Sequence, residues 1–137
     1  MTMLQQAEPQ ESESQKSVNQ TSLCVVSSQS PYRGQSAREA LDAALVSASY
    51  DLPTSLLLMG DGVYQLVDHQ DPSQLPRKNL LAMFKSLELY GIETVYVDSE
   101  SLDERGLEPE QLLPVYTLLE GDGVATFLAT QKKVLNF

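Results

Sequence analysis

The chain has 137 residues, an apolar content of 42% and a formal net charge of -10, with 9 basic against 19 acidic side chains. Such a length suits one domain whose core needs no disulfide or metal staple. The acidic balance argues against a protein that grips nucleic acid or an anionic membrane through its own surface, because both need a basic stripe.

Residues 1 to about 22 are Gln-, Glu- and Ser-rich, with Met1, Met3, Leu4, Ala7 and Val18 as their apolar members. A segment of this composition buries too little apolar surface to offset the entropy of ordering, and is expected to be a disordered tail. It has neither the basic start nor the apolar stretch of a secretory signal, which makes a cytoplasmic location the expectation. The domain is expected over 23–137.

Leu23-Cys24-Val25-Val26 is a short continuous apolar run suited to a buried parallel strand. Ser36-Ala37-Arg38-Glu39 has the S-x-x-E spacing of a capping box, and Ala40, Leu41, Ala44, Leu45 and Ala48 follow at helical spacing. Tyr50 to Pro53 ends that helix. The second strand is expected over Ser55–Met59, stopping at the Gly60-Asp61-Gly62 turn. After a polar loop, Leu80, Leu81, Phe84 and Leu87 mark one face of a second long helix, which Gly91 stops.

Thr94 to Val97 reads as the third strand. Ser101-Leu102-Asp103-Glu104 is a second possible capping box, opening a short turn closed by Gly106. The fourth strand is expected over Val115–Leu118. A third helix follows from about Asp122 to Ala129, with Val124, Phe127 and Leu128 inward, and Lys133–Phe137 completes the order as a fifth strand. Alternation of this kind indicates an α/β fold, a parallel sheet with helices on both faces.

The candidate chemical residues do not add up to a catalytic set. Cys24 is the sole thiol, flanked by apolar residues in a strand pattern, where a cysteine behaves as a small hydrophobe. His69 is the sole histidine and lies in a polar loop, so His-pair zinc motifs are excluded along with Cys-rich ones. Gly60-Asp61-Gly62 follows a strand, where α/β folds bind ligands, yet it is neither a dinucleotide fingerprint nor a P-loop, and Asp61 would repel a phosphate. The acidic run from Asp98 to Glu104 fits no calcium-loop spacing. Ser27, Ser28 and Ser30 lack a nucleophile-elbow sequence.

Several segments resemble the TusC/DsrF family in collinear order. They are Ser36 to Leu45, Gly60-Asp61-Gly62-Val63-Tyr64-Gln65-Leu66, Phe84 to Glu93, Ser101-Leu102-Asp103-Glu104-Arg105-Gly106-Leu107 and Val134 to Phe137. The resemblance covers Leu23 to Phe137. It implies a DsrE-like, Rossmann-type open parallel sheet of five strands. It also implies a subunit of a sulfurtransferase complex, a dimer of heterotrimers with TusB-like and TusD-like partners. Through that complex it would act with TusE-like and TusA-like proteins. The complex passes persulfide sulfur towards 2-thiolation of the tRNA wobble uridine.

In that family the relay cysteine belongs to the TusD/DsrE-like sibling, after its third or fourth strand. Here Asp98 or Ser99 occupies the matching place, and neither can carry a persulfide. The resemblance therefore implies a non-catalytic subunit without cofactor, metal, or direct contact to nucleic acid or membrane. Tyr64, Leu66 and Val67 are candidate interface residues. Three other readings stand beside this one: a DsrF-like subunit in sulfur oxidation, a sulfurtransferase using Cys24, and a free-standing homo-oligomeric module binding a small ligand at the strand carboxyl ends.

Overall fold

A computed structural model describes residues 22–31, 34–67, 82–84, 87–92 and 94–137. Most of the expected tail, His69, Leu80 and Leu81 lie outside the described residues. Five strands form one sheet: β1 (Leu23–Ser27), β2 (Thr54–Leu58), β3 (Val95–Asp98), β4 (Tyr116–Leu119) and β5 (Lys133–Asn136). All pairs are parallel and the order is β4-β3-β2-β1-β5. The α/β expectation holds, and each strand lies within a residue or so of its expected bounds.

Helices cover both faces. α1 (Ser36–Ser49) lays Ala37, Ala40, Leu41 and Ala44 against one face, and the alanines let the helix axis come close to the strands. Phe84, Leu87 and Ile92 join that layer, as do Leu66, Leu102 and Leu113, with side chains from alternate strand positions such as Val25, Leu56 and Val97. The opposite face holds a smaller cluster of Cys24, Val26 and Leu57. It is covered by Val124, Phe127 and Leu128 of α3 (Gly123–Ala129), and the rings of Tyr96 and Phe127 meet at 4.3 Å between centroids. These three α3 residues face the sheet as expected but stay half-buried, because nothing among the described residues closes over that helix.

Both expected capping boxes are corrected. Gln35, turned by left-handed Gly34 (φ 62°), takes the cap position of α1, so Ser36 lies inside the helix and makes no cap bond. α2 (Ser99–Glu104) starts two residues before Ser101, and Asp98 stands at its cap. A reciprocal box does occur, unforeseen, where Glu108 and Gln111 bracket the 3₁₀ turn Pro109–Gln111. The glycine stops hold: Gly91 (φ 92°) and Gly106 (φ 65°) adopt the left-handed conformation that ends a helix cheaply. Of the second long helix, residues 82–84 are helical and Leu87–Tyr90 form a 3₁₀ turn.

Candidate functional site

The chemistry-bearing residues converge at the carboxyl ends of β1, β2 and β3. Past β2 the chain coils into a 3₁₀ segment, Gly60–Leu66, rather than a plain turn. This coil is tied to both neighbouring loops. Gln65, 1% exposed, donates from Nε2 to Ser27 Oγ at 2.7 Å and to the Gln29 carbonyl at 3.0 Å. On the other side the Gly60 amide donates to Ser101 Oγ at 2.8 Å, and that hydroxyl donates to Asp98 Oδ2 at 2.6 Å. Arg105 closes the corner. Its Nε donates to Asp61 Oδ1 at 3.0 Å and its Nη1 to the Ser101 carbonyl at 3.1 Å.

The end of β1 with its following loop, the 3₁₀ coil and α2 with its two ends therefore form one hydrogen-bonded platform. Ser27, Ser28 and Ser101 are spent on this structure: Ser28 Oγ donates to the Phe137 carbonyl at 2.9 Å. Asp98 and Ser99 lie together at the start of α2, half-buried. Asp61 is engaged by a cation of the chain itself. Among the described residues no group of three His, Cys, Asp or Glu side chains is placed to hold a metal ion. None of their helices is long and apolar enough to cross a membrane.

Cys24 sits apart from this platform, in the middle of β1 on the α3 face. It is fully buried, and desolvation pushes its thiol up to about 11. On the order of one thiol in ten thousand is then ionised at neutral pH. Native Cys24 is expected to resist iodoacetamide at pH 8 for hours and to react within minutes in denaturant. Labelling at equal rates with and without denaturant would refute this burial. The raised value also has a thermodynamic sign. The folded chain holds the thiol proton to about 11, whereas an unperturbed thiol releases it near 9.0, so stability falls as pH rises through that window.

The candidate interface residues separate. Leu66 is 0% and Val67 6% exposed, both in the main core, so their side chains offer no surface to a partner. The 3₁₀ coil turns them inward beneath the platform. Tyr64 is half-buried and packs against the same core. Long-range ties made by Gln65, Ser101 and Arg105 escaped the sequence reading, since each joins residues about forty positions apart. An open cavity of about 280 Å3, lined in part by Phe84, Ile92, Val95 and Tyr116, lies at the amino ends of β3 and β4, away from the platform.

A parallel five-stranded sheet covered by helices, with a polar corner knitted at its carboxyl edge, defines a small α/β protein of the open-sheet class. Residues 21–137 match the DsrE/DsrF-like family, and the chain belongs to that family. It is similar to the Protein TusC homolog of Pseudomonas aeruginosa, with 40% identity over 114 residues, covering 83% of this chain and 96% of that one. It is also similar to Protein TusC of Escherichia coli O9:H4, at 35% identity over 84% of this chain and 98% of the relative. Among solved structures, the ychN protein from E. coli superposes with a TM-score of 0.68 at 21% identity, over 86% of this chain and 99% of that one. A protein of unknown function from Methanobacterium thermoautotrophicum gives 0.60 at 14% identity, over 87% of this chain and all of the other. These two bear on the fold alone.

Proposed function

We infer that this chain is a TusC-like subunit of a cytoplasmic sulfur-relay complex, positioning sulfur-carrying siblings without carrying sulfur itself. The observation that supports this most is the pairing of its relatives with its thiol inventory. The chain aligns along most of its length with proteins named TusC, and its one cysteine is buried in the β1 layer with its pKa raised. A relay cysteine must be an accessible thiolate to attack a persulfide sulfur. In this reading Asp98, which accepts from Ser101, or Ser99 takes the place of the sibling's cysteine, and neither side chain supplies a sulfur nucleophile.

The surface suits a subunit. Val46 and Tyr50 at the end of α1, with Leu89 and Tyr90 on the 3₁₀ turn beside it, are large apolar side chains exposed by 56% or more. Exposed apolar groups gathered in this way mark protein contacts. Tyr64, half-buried, remains a candidate contact. TusB-like and TusD-like siblings, in a dimer of heterotrimers, are the partners this reading names, with tRNA wobble-uridine thiolation as the outcome. The -10 charge agrees with reaching tRNA through those partners, including TusE-like and TusA-like proteins, rather than by direct contact.

Light scattering behind gel filtration tests the reading, on the chain alone and after co-expression with both siblings from the same source. One larger species containing all three chains is expected. A chain that stays monomeric or self-associates and ignores both siblings overturns it.

A further inference from the structure

The sheet ends at β5, and nothing among the described residues pairs with the outer side of that strand. All four residues of β5 are exposed. The ladder to β1 fixes which backbone groups are used. Lys133 N–H donates to the Ser22 carbonyl at 3.0 Å, Phe137 N–H to Val26 at 2.9 Å, and the Phe137 carbonyl accepts from Ser28 N–H at 3.1 Å. Residues 133, 135 and 137 thus face β1. The N–H and C=O groups of Val134 and Asn136 point away from the sheet, with no partner among the described residues. An edge of this kind is a template for another strand.

Two further features qualify the edge. Each face of it carries one large apolar side chain beside a polar one: Val134, level with Cys24, lies on the α3 face at 36% exposure with Asn136, and Leu135, level with Val25, lies on the α1 face at 38% with Lys133. A strand added here would continue a sheet buried on both sides, as parallel sheets are. The edge is also basic. Lys132 and Lys133 are exposed and have no carboxylate partner among the described residues, whereas Arg38 and Arg105 are each paired to an aspartate within the chain. Two exposed lysines with no carboxylate partner among the described residues make this edge favourable for a strand that carries carboxylates. A second copy brings ten more negative charges into mutual repulsion, which disfavours it as the occupant.

We propose that the β5 edge is where a sibling subunit joins this chain, by adding an extended, carboxylate-bearing segment as a sixth strand against Val134 and Asn136. The proposal rests on the subunit reading above and specifies its contact.

Residue-resolved hydrogen exchange on the full chain, alone and in the co-expressed complex, tests it. In the free chain the Val134 and Asn136 amides are expected to exchange quickly while Leu135 is protected; in the complex both slow by about a hundredfold or more. Asn136→Pro removes only an outward N–H, so the free variant should keep its fold and melting temperature within a few degrees while losing the complex. Lys132→Glu with Lys133→Glu is expected to weaken assembly at least about tenfold, with the effect fading in high salt. A complex that forms with both amides still exchanging freely overturns the proposal and leaves the subunit reading intact. A chain that dimerises alone with these amides protected overturns the sibling as occupant. A chain that joins no sibling overturns both.

Discussion

Gly62→Ala is expected to destabilise the chain by roughly 3 kcal/mol or more, lowering its melting temperature by about 10 °C. The glycine is required by proximity, not by a left-handed backbone. A Cβ built there overlaps the Ser27 carbonyl oxygen, with the Ser27 carbonyl carbon at 2.8 Å and Ser28 Cα at 3.2 Å. All three are backbone atoms at the end of an interior strand, so no side chain can swing aside. Relief requires the 3₁₀ coil to lift off β1, which also stretches the bonds of Gln65 to the Ser27–Gln29 loop. Thermal denaturation followed by circular dichroism measures this. A variant that melts with the parent shows that the coil does not sit so close to β1. Gly121→Ala is the useful contrast: a Cβ there meets nothing within 4 Å, and only the left-handed φ of 54° is penalised, so a loss of about 1 kcal/mol is expected.

Gln65→Leu is the second large effect, at about 2–3 kcal/mol. The substitution nearly conserves volume, so the loss is polar in origin. It removes the donor that serves both the buried Ser27 hydroxyl and the Gln29 carbonyl, and puts apolar atoms in its place. A buried acceptor without a donor costs more than the bond contributed. The double variant with Ser27→Ala removes one orphaned group and should recover part of the loss. Denaturant titration of the two single variants and the double variant closes the cycle. Strict additivity would show that Gln65 and Ser27 are not coupled, against the 2.7 Å contact.

Local patterns explain why the sheet was legible. Leu23 to Val26 and the strand of leucines through Leu58 are buried on both faces, so continuous apolar runs mark them. The alanine stripe of α1 and the stops at Gly91 and Gly106 are equally local. Capping failed at Ser36 and Ser101 because cap identity depends on where the backbone enters the helix, which Gly34 and Asp98 decide here. The platform was invisible for another reason. Gly60, Asp61 and Gln65 draw their partners from segments 36 to 44 residues away, and only the closed sheet brings those segments together. Leu66 and Val67 looked like surface candidates because apolar side chains after a turn suit a core and an interface equally. The 3₁₀ coil sends them inward.

The chemistry of the chain follows the same division. A sequence shows that Cys24 is the one sulfur nucleophile; the structure adds that β1 seals it beneath α3. The central claim is that this chain organises a sulfur relay without holding the sulfur. Its most direct test is persulfide transfer through the complex reconstituted with both siblings, comparing the parent chain with Cys24→Ala. Alanine suits this test because it places no unpartnered hydroxyl in an apolar cluster. Sulfur should reach the acceptor at an undiminished rate, and intact mass should show no added sulfur on the parent chain beside an active donor. Loss of transfer with the assembly intact, or a one-sulfur mass increment on Cys24, would contradict the account and make this chain a carrier.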